Sequence, residues 1–222
     1  MYLWYIPFFM ASQIDYIVKT LQDQSLWAST TFDFEINVSK IIKQEPYKSY
    51  IEDVFEDLGG VSKDYPLTYS LPQLQCEDVF IVFNDVLAFN KYRNITFRSE
   101  FYDGLEKMPL QNYRRFCRTN EKQCLATGQR DWTNRKAEYY FGESQDVGDL
   151  SFKGSAQWKK RAFEHFLFDV LAKASNKKVI YLSIYDVIMI NGQLTPLEKI
   201  TLSQNEQATK YLWNYLSRLL GR

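Results

Sequence analysis

Apolar residues recur along the chain at spacings that separate helices from strands. Ile14, Ile17, Val18 and Leu21 fall at helical spacing and predict a first helix over 11–24. Ile36, Val38, Ile41 and Ile42 predict a second over 35–44. Tyr50, Ile51, Val54, Phe55 and Leu58 give a third helix an apolar face. Pro46 suits its first turn, and Gly59-Gly60 its end, because glycine accepts the left-handed conformation there. Val79–Phe83 is a short β-rich run that reads as a central strand. Asn94–Phe97 reads as a further strand or a connection. A long helix is expected from Pro109 to Gly128, with Tyr113, Phe116, Cys117, Cys124 and Leu125 on its buried side. Residues 128–156 are polar and Gly-rich and read as a long loop. The strongest helical stripe is Phe163, Phe166, Leu167, Val170, Leu171 and Ala174, within a helix over 156–174. Val179–Ile190 is Ile-, Val- and Tyr-rich, and Asn191-Gly192 is a hairpin turn signal. Tyr211, Leu212, Tyr215, Leu216 and Leu219 mark a C-terminal helix. The pattern predicts one α/β domain with a mixed central sheet flanked by helices. Residues 1–60 form its helical N-terminal section and 61–222 its core. The apolar start, Met1–Met10, is too short to span a bilayer and reads as a buried strand or docking segment. With no signal peptide evident, a soluble cytoplasmic protein without a membrane partner is expected.

Composition narrows the chemistry. A single histidine, His165, excludes zinc sites that need several histidines within the chain. A structural or surface role suits it, since no nucleophile is indicated beside it. Cys76, Cys117 and Cys124 are odd in number and lack CxxC spacing, which suits buried thiols in a reducing compartment. The formal charge of zero conceals a partition. Residues 1–90 hold five basic and thirteen acidic side chains, whereas 91–165 hold fifteen and ten. Seven of the ten arginines lie between Arg93 and Arg135. Field arguments therefore apply per segment, and the middle of the chain is basic.

Phosphate binding is the chemistry that this segment suggests. Lys91, Arg93, Arg114, Arg115 and Arg118 cluster in sequence, with Arg98 and Lys122 nearby. Lys159, Lys160 and Arg161 stand in the first turn of the helix over 156–174, the wrong end for dipole stabilisation unless an anion binds there. The competing reading pairs these charges with acids such as Glu121, Asp131 and Glu164. Trp132 and Trp158 could stack on bases or pack the loop against the core.

The run Val82–Arg93 places Asn84 and Asp85 at a strand end, followed by Phe89-Asn-Lys-Tyr-Arg93. The run resembles a group of bacterial proteins with a restriction-endonuclease-like character, related in pattern to very-short-patch-repair nucleases. The resemblance continues in Tyr113–Arg118, Ala137-Glu138, Phe141-Gly142, Gly148–Leu150, Gly154-Ser155, Trp158-Lys159 and Arg161–Phe163, over roughly residues 55–190. It implies a restriction-endonuclease-like fold and a carboxylate-held Mg²⁺. This chain departs from that pattern. Val82 replaces the expected Glu, Asn84 the expected Asp and Ala88 the expected His. Asp85 with Asn84 leaves a degenerate catalytic site, and the identity of any metal ligands stays open. The expected function is binding of nucleic acid or a protein partner. A Mg²⁺-dependent endonuclease with a relocated site is the alternative, drawing on Glu35, Glu77, Asp78, Glu138, Asp146 and Asp149 with Lys153. An interaction subunit that does not bind nucleic acid is the other.

Overall fold

Val79–Asn84 forms a strand, as its apolar run predicts, and is buried almost throughout. The computed structural model describes residues 8–105 and 107–222, so the expectation for Met1–Pro7 lies outside the described residues. In chain order the elements are α1 (Phe8–Gln22), β1 (Ala28–Ser29), α2 (Val38–Ile41), α3 (Tyr47–Asp57), β2 (Leu74–Cys76), β3 (Val79–Asn84) and α4 (Lys91–Thr96). Then follow α5 (Leu110–Thr119), α6 (Glu121–Gly128), α7 (Arg135–Phe141), α8 (Ala156–Ala174) and β4 (Lys178–Ser183). The chain closes with β5 (Val187–Ile190), β6 (Gln193–Pro196), α9 (Leu197–Ser203) and α10 (Glu206–Leu220). The architecture is mixed α/β. The chain divides into two compact units, one of the segments up to Asp33, Pro72–Asp85 and Lys178–Arg222, the other of Phe34–Leu71 and Val86–Lys177.

The first unit carries a four-stranded sheet in the order β1-β2-β3-β4. β1–β2 and β2–β3 are antiparallel, and β3–β4 is parallel from Val79↔Lys178 to Asn84↔Ser183. Parallel neighbours need a crossover connection. Here residues 85–177 supply it, so the whole of the second unit's longer segment is inserted between two paired strands. Leu74, Ile81, Phe83 and Leu182 are buried in the sheet, with Ile17, Leu21 and Leu212 from the helices. Gln13 Nε2 donates to Thr201 Oγ1 at 2.8 Å, and the Tyr16 and Thr209 hydroxyls share a hydrogen bond of 2.7 Å. The β5–β6 hairpin turns at Asn191 and Gly192, whose φ values of 49° and 80° are those a tight hairpin turn requires.

The second unit is built on α8. Ser155 caps it by accepting from Trp158 N, and most of its length is buried, the mark of a helix at the centre of a core. Phe163, Phe166, Leu167, Val170 and Leu171 have no exposed surface. Aromatic rings pack around it, with Phe55–Phe163 centroids at 5.5 Å and Phe101–Phe166 at 5.6 Å.

Four expectations change here. Asn94–Phe97 is neither strand nor plain connection. It belongs to α4, which Asn90 starts by accepting from Tyr92 N and Arg93 N. The long helix from Pro109 breaks at Asn120 (φ −112°, ψ 9°), whose side chain caps the Phe116 carbonyl at 3.1 Å. The long loop after Gly128 contains α7, capped by Asn134. The helix over 35–44 shrinks to the single turn α2, because Asn37 caps it late and Pro46 disfavours helical backbone just before it.

Candidate functional site

The strand end that suggested catalysis is closed. Asn84 is 4% exposed, and its Nδ2 donates to Leu182 O at 3.2 Å while its backbone carbonyl accepts from Ile184 N at 3.1 Å. The amide therefore fastens β3 to β4, and Asp85 follows it half-buried. Val82 and Ala88 are buried apolar residues with nothing to offer a cation. These residues do not fit a magnesium ion, which needs several oxygen ligands in octahedral array. Four of the six alternative acids have partners of their own. Glu77 accepts from Trp27 N, Asp78 pairs with Lys178, Glu138 accepts from Thr133 Oγ1, and Asp149 accepts from Ser151 N. Among the described residues no three His, Cys, Asp or Glu side chains converge to hold a metal.

The adjoining Phe89–Arg93 motif is a hub, in which each side chain ties down a different segment of the second unit. Phe89 packs edge-on against Tyr113 and Phe116 at 5.2 and 5.6 Å. Asn90 caps α4. Lys91 Nζ donates to the Leu150 carbonyl, and its backbone N to Glu121 Oε1 at 2.7 Å. Tyr92 Oη accepts from Ser155 N at 2.9 Å, just ahead of α8. Gly154 makes that approach possible. A Cβ there would stand 1.7 Å from Tyr92 Oη, and its φ is +57°. Arg93 is buried in α4 and bonds Asp169 Oδ2 of α8 at 2.7 Å. It also donates to Tyr102 Oη at 2.9 Å and Thr96 Oγ1 at 3.1 Å, and lies 4.3 Å from the Phe97 ring. Tyr102 Oη in turn donates to the same Asp169 oxygen at 2.6 Å.

The eight cations expected to bind phosphate thus have distinct fates. Arg93 is buried, with its guanidinium paired to Asp169. Lys160 is held likewise. It is buried and pairs with Glu164, which also accepts from Thr68 Oγ1. The backbone at the start of α8 is not an anion site either. Ala156 N donates to Ser144 Oγ, Gln157 N to Trp132 O, Trp158 N to Ser155 Oγ and Lys159 N to Ser155 O. Arg114 donates to the Phe97 carbonyl. Arg161 is half-buried close to His165. Burial, then Arg93 and Arg161, hold that imidazole well below its ordinary range, so it stays neutral at pH 7. Arg115 and Arg118 are exposed on α5, a helix with three arginines and no acid, and neither forms an ion pair with a described residue. Lys159 is buried, its ammonium 5.9 Å from the Tyr92 ring centroid and without a hydrogen bond to any described residue. Trp132 and Trp158 serve packing, buried edge to face at 5.3 Å. All three cysteines are free and buried, as their number and spacing suggest.

No motif or spacing in the chain singles out Asp186. Its Oδ2 accepts from Ser183 N at 2.8 Å and from Tyr215 Oη at 3.1 Å. Burial pushes its carboxyl up to about 6 against those two hydrogen bonds, and burial also raises Tyr215. An acid raised on folding stabilises the fold below its unfolded pKa, and that stability is lost as pH rises through about 6. Asp186→Asn keeps one oxygen for both donors. Relative to the wild type it should therefore gain stability between pH 4 and pH 7, by about 1–3 kcal/mol. Urea midpoints for both proteins at those two pH values check this. A gap that closes or reverses would show that the charged form is not penalised.

An α/β protein with a four-stranded mixed sheet and a motif spent on holding helices together is the class that these observations define. The chain belongs to the Family of unknown function (DUF7255), which it matches over residues 53–203. That span contains the motif, all of α8 and the hairpin, and its description names no activity. No curated protein and no solved structure matches the chain.

Proposed function

We propose that this protein acts by binding a polyanion, nucleic acid foremost, through the α5 face of its second unit rather than by metal-dependent cleavage. On this reading a restriction-endonuclease-like scaffold keeps its architecture after losing its carboxylates. The observation that carries the reading is the pair Arg115 and Arg118. They are exposed and three residues apart on one face of a helix without acids, and no described residue neutralises them. Lys122 is exposed just beyond, on α6. Arginine suits phosphate because its planar donors match the oxygens.

The test is the salt dependence of binding to a mixed-sequence DNA and an RNA of the same length. Affinity should fall linearly in log salt as counterions are recaptured. Arg115→Ala and Arg118→Ala should each weaken binding and lower the slope by about 1. No Mg²⁺-dependent cleavage is expected. Absence of binding at low salt, or cleavage that requires Asp85, would overturn the reading.

A second reading has its own observation. Phe152 is 96% exposed and Val147 62%, on a loop pinned at Gln145–Gly154, Asp146–Asp149 and Ser151–Gly154. Ordered apolar side chains of this kind serve as anchors in protein interfaces. A complex with a protein partner that Phe152→Ser abolishes, in a chain that shows no affinity for nucleic acid, would favour the interaction role.

A further inference from the structure

The β5–β6 hairpin of the first unit leaves the outer edge of β5 unpaired. The two-residue turn at Asn191-Gly192 makes Ile190↔Gln193 a hydrogen-bonded pair, and bonded pairs alternate along an antiparallel ladder. Ile188↔Thr195 is then bonded as well, whereas Val187 and Met189 turn their N–H and C=O groups away from β6. Among the described residues nothing bonds to those outward groups. Val187 is 49% exposed and Met189 57%, so the edge is open. Natural strand edges are usually blunted by charge or proline, and β5 carries neither. Helix α10 runs beside this edge. Tyr211 Oη donates to Asn191 Oδ1 at 3.0 Å beside the turn, and Tyr215 Oη to Asp186 Oδ2 at 3.1 Å just ahead of β5. Between helix and strand lies a groove of about 660 Å³, to which α10 contributes Tyr211, Tyr215 and Leu219. Val187, Ile188 and Met189 all line it. Successive side chains of a strand alternate between its faces, so the groove follows the edge of β5 rather than one face. Arg218 is the one charged residue among the described residues that line it. It is exposed, its Nε donates to Asn214 O at 3.1 Å, and it forms no ion pair with a described residue. As α10 passes the turn at Tyr211 and Asp186 at Tyr215, Arg218 stands at the end of the groove where β5 begins.

We propose that this groove takes the C-terminal segment of an extended apolar peptide, which adds to β5 as an antiparallel strand and sets its terminal carboxylate on Arg218. Backbone hydrogen bonds to Val187 and Met189 hold the strand, and its alternate apolar side chains fill the groove. The direction follows from the charge. An antiparallel strand runs from the turn towards the start of β5, so its C-terminus arrives beside Arg218. A guanidinium fork matches the two oxygens of a carboxylate. A polyanion would meet a single cation here. The groove is therefore separate from the α5 face, and neither reading depends on the other.

The probe is a display library of short random peptides with free C-termini, selected on the full chain, each enriched sequence then being remade as an acid and as an amide. Enriched peptides should carry Val, Ile or Leu at alternate positions up to the end. Amidation should weaken binding by roughly tenfold, the worth of one hydrogen bond to a charged group. Arg218→Gln should weaken the acid as much and leave the amide unchanged. In the wild type the Val187 and Met189 amide protons, followed by NMR, should move downfield on binding and exchange more slowly. Met189→Pro removes an N–H that the hairpin does not use, a position where edge strands accept proline, so it should fold and lose binding. The proposal falls if the library yields no binder, if acid and amide bind alike, or if those two amides do not respond. It falls too if the edge pairs with a second copy, seen as a mass that rises with concentration in the wild type and not in Met189→Pro.

Discussion

Asp169→Ala is expected to destabilise the protein by about 3–5 kcal/mol, a large part of what a domain has to lose. The reason is what remains behind. Arg93 would keep its charge at 4% exposure, with neutral hydroxyls such as those of Thr96 and Tyr102 in place of the carboxylate. Tyr102 Oη would lose its own acceptor in the same step. Arg93→Ala should cost a comparable amount, because it leaves the Asp169 carboxylate at 2% exposure without its guanidinium. Removing both charges is the informative case. An apolar pair of similar volume, Arg93→Met with Asp169→Leu, should cost far less than the sum of the single changes, since a buried pair largely repays its own desolvation. Urea unfolding of the four proteins gives the coupling directly. Additive losses would show that the two groups do not depend on one another.

Gly154→Ala is expected to cost about 2–4 kcal/mol, from overpacking and from backbone strain in the left-handed region. The new methyl carbon would fall on the Tyr92 hydroxyl, so α8 or α4 would have to shift. Tyr92→Phe removes the clashing oxygen and leaves Ser155 N without its acceptor. Gly154→Ala should consequently cost less in a Tyr92→Phe background than in the wild type. Thermal or chemical unfolding of the pair decides it. An equal cost in both backgrounds would assign the whole effect to backbone strain.

Some parts of this fold are visible in the chain alone. The helix α8 matches the stripe over 156–174, because its cap, its apolar spacing and its end are all local. The hairpin at Asn191-Gly192 and the stop of α3 near Gly59 are equally local. β1 and β2 hold two and three residues, too few for a period to register. The α9 helix follows Pro196 directly and lacks a side-chain cap, so nothing marks its start.

The candidate site was readable by residue type and not by state of charge. The Phe89–Arg93 motif stood out by residue type, and in the structure its side chains hold neighbouring segments together. Arg93 meets Asp169 from 76 positions away, and no count of charges along a segment anticipates that pairing. Arg93, Arg115 and Lys159 look alike in sequence. They differ because one is paired, one is exposed and one is buried alone.

The insertion of residues 85–177 between the parallel strands β3 and β4 has a consequence for synthesis on the ribosome. Chains emerge from the N-terminus at about 5–20 residues per second. By the time β4 leaves the exit tunnel, every residue of the second unit has already been made. That unit can condense while β3 waits with one edge open, paired at most with β2. An apolar strand left with a free edge invites pairing with neighbouring chains. The nascent protein is therefore most vulnerable to aggregation late in translation, and a stop codon between Asp85 and Lys178 makes that exposure permanent.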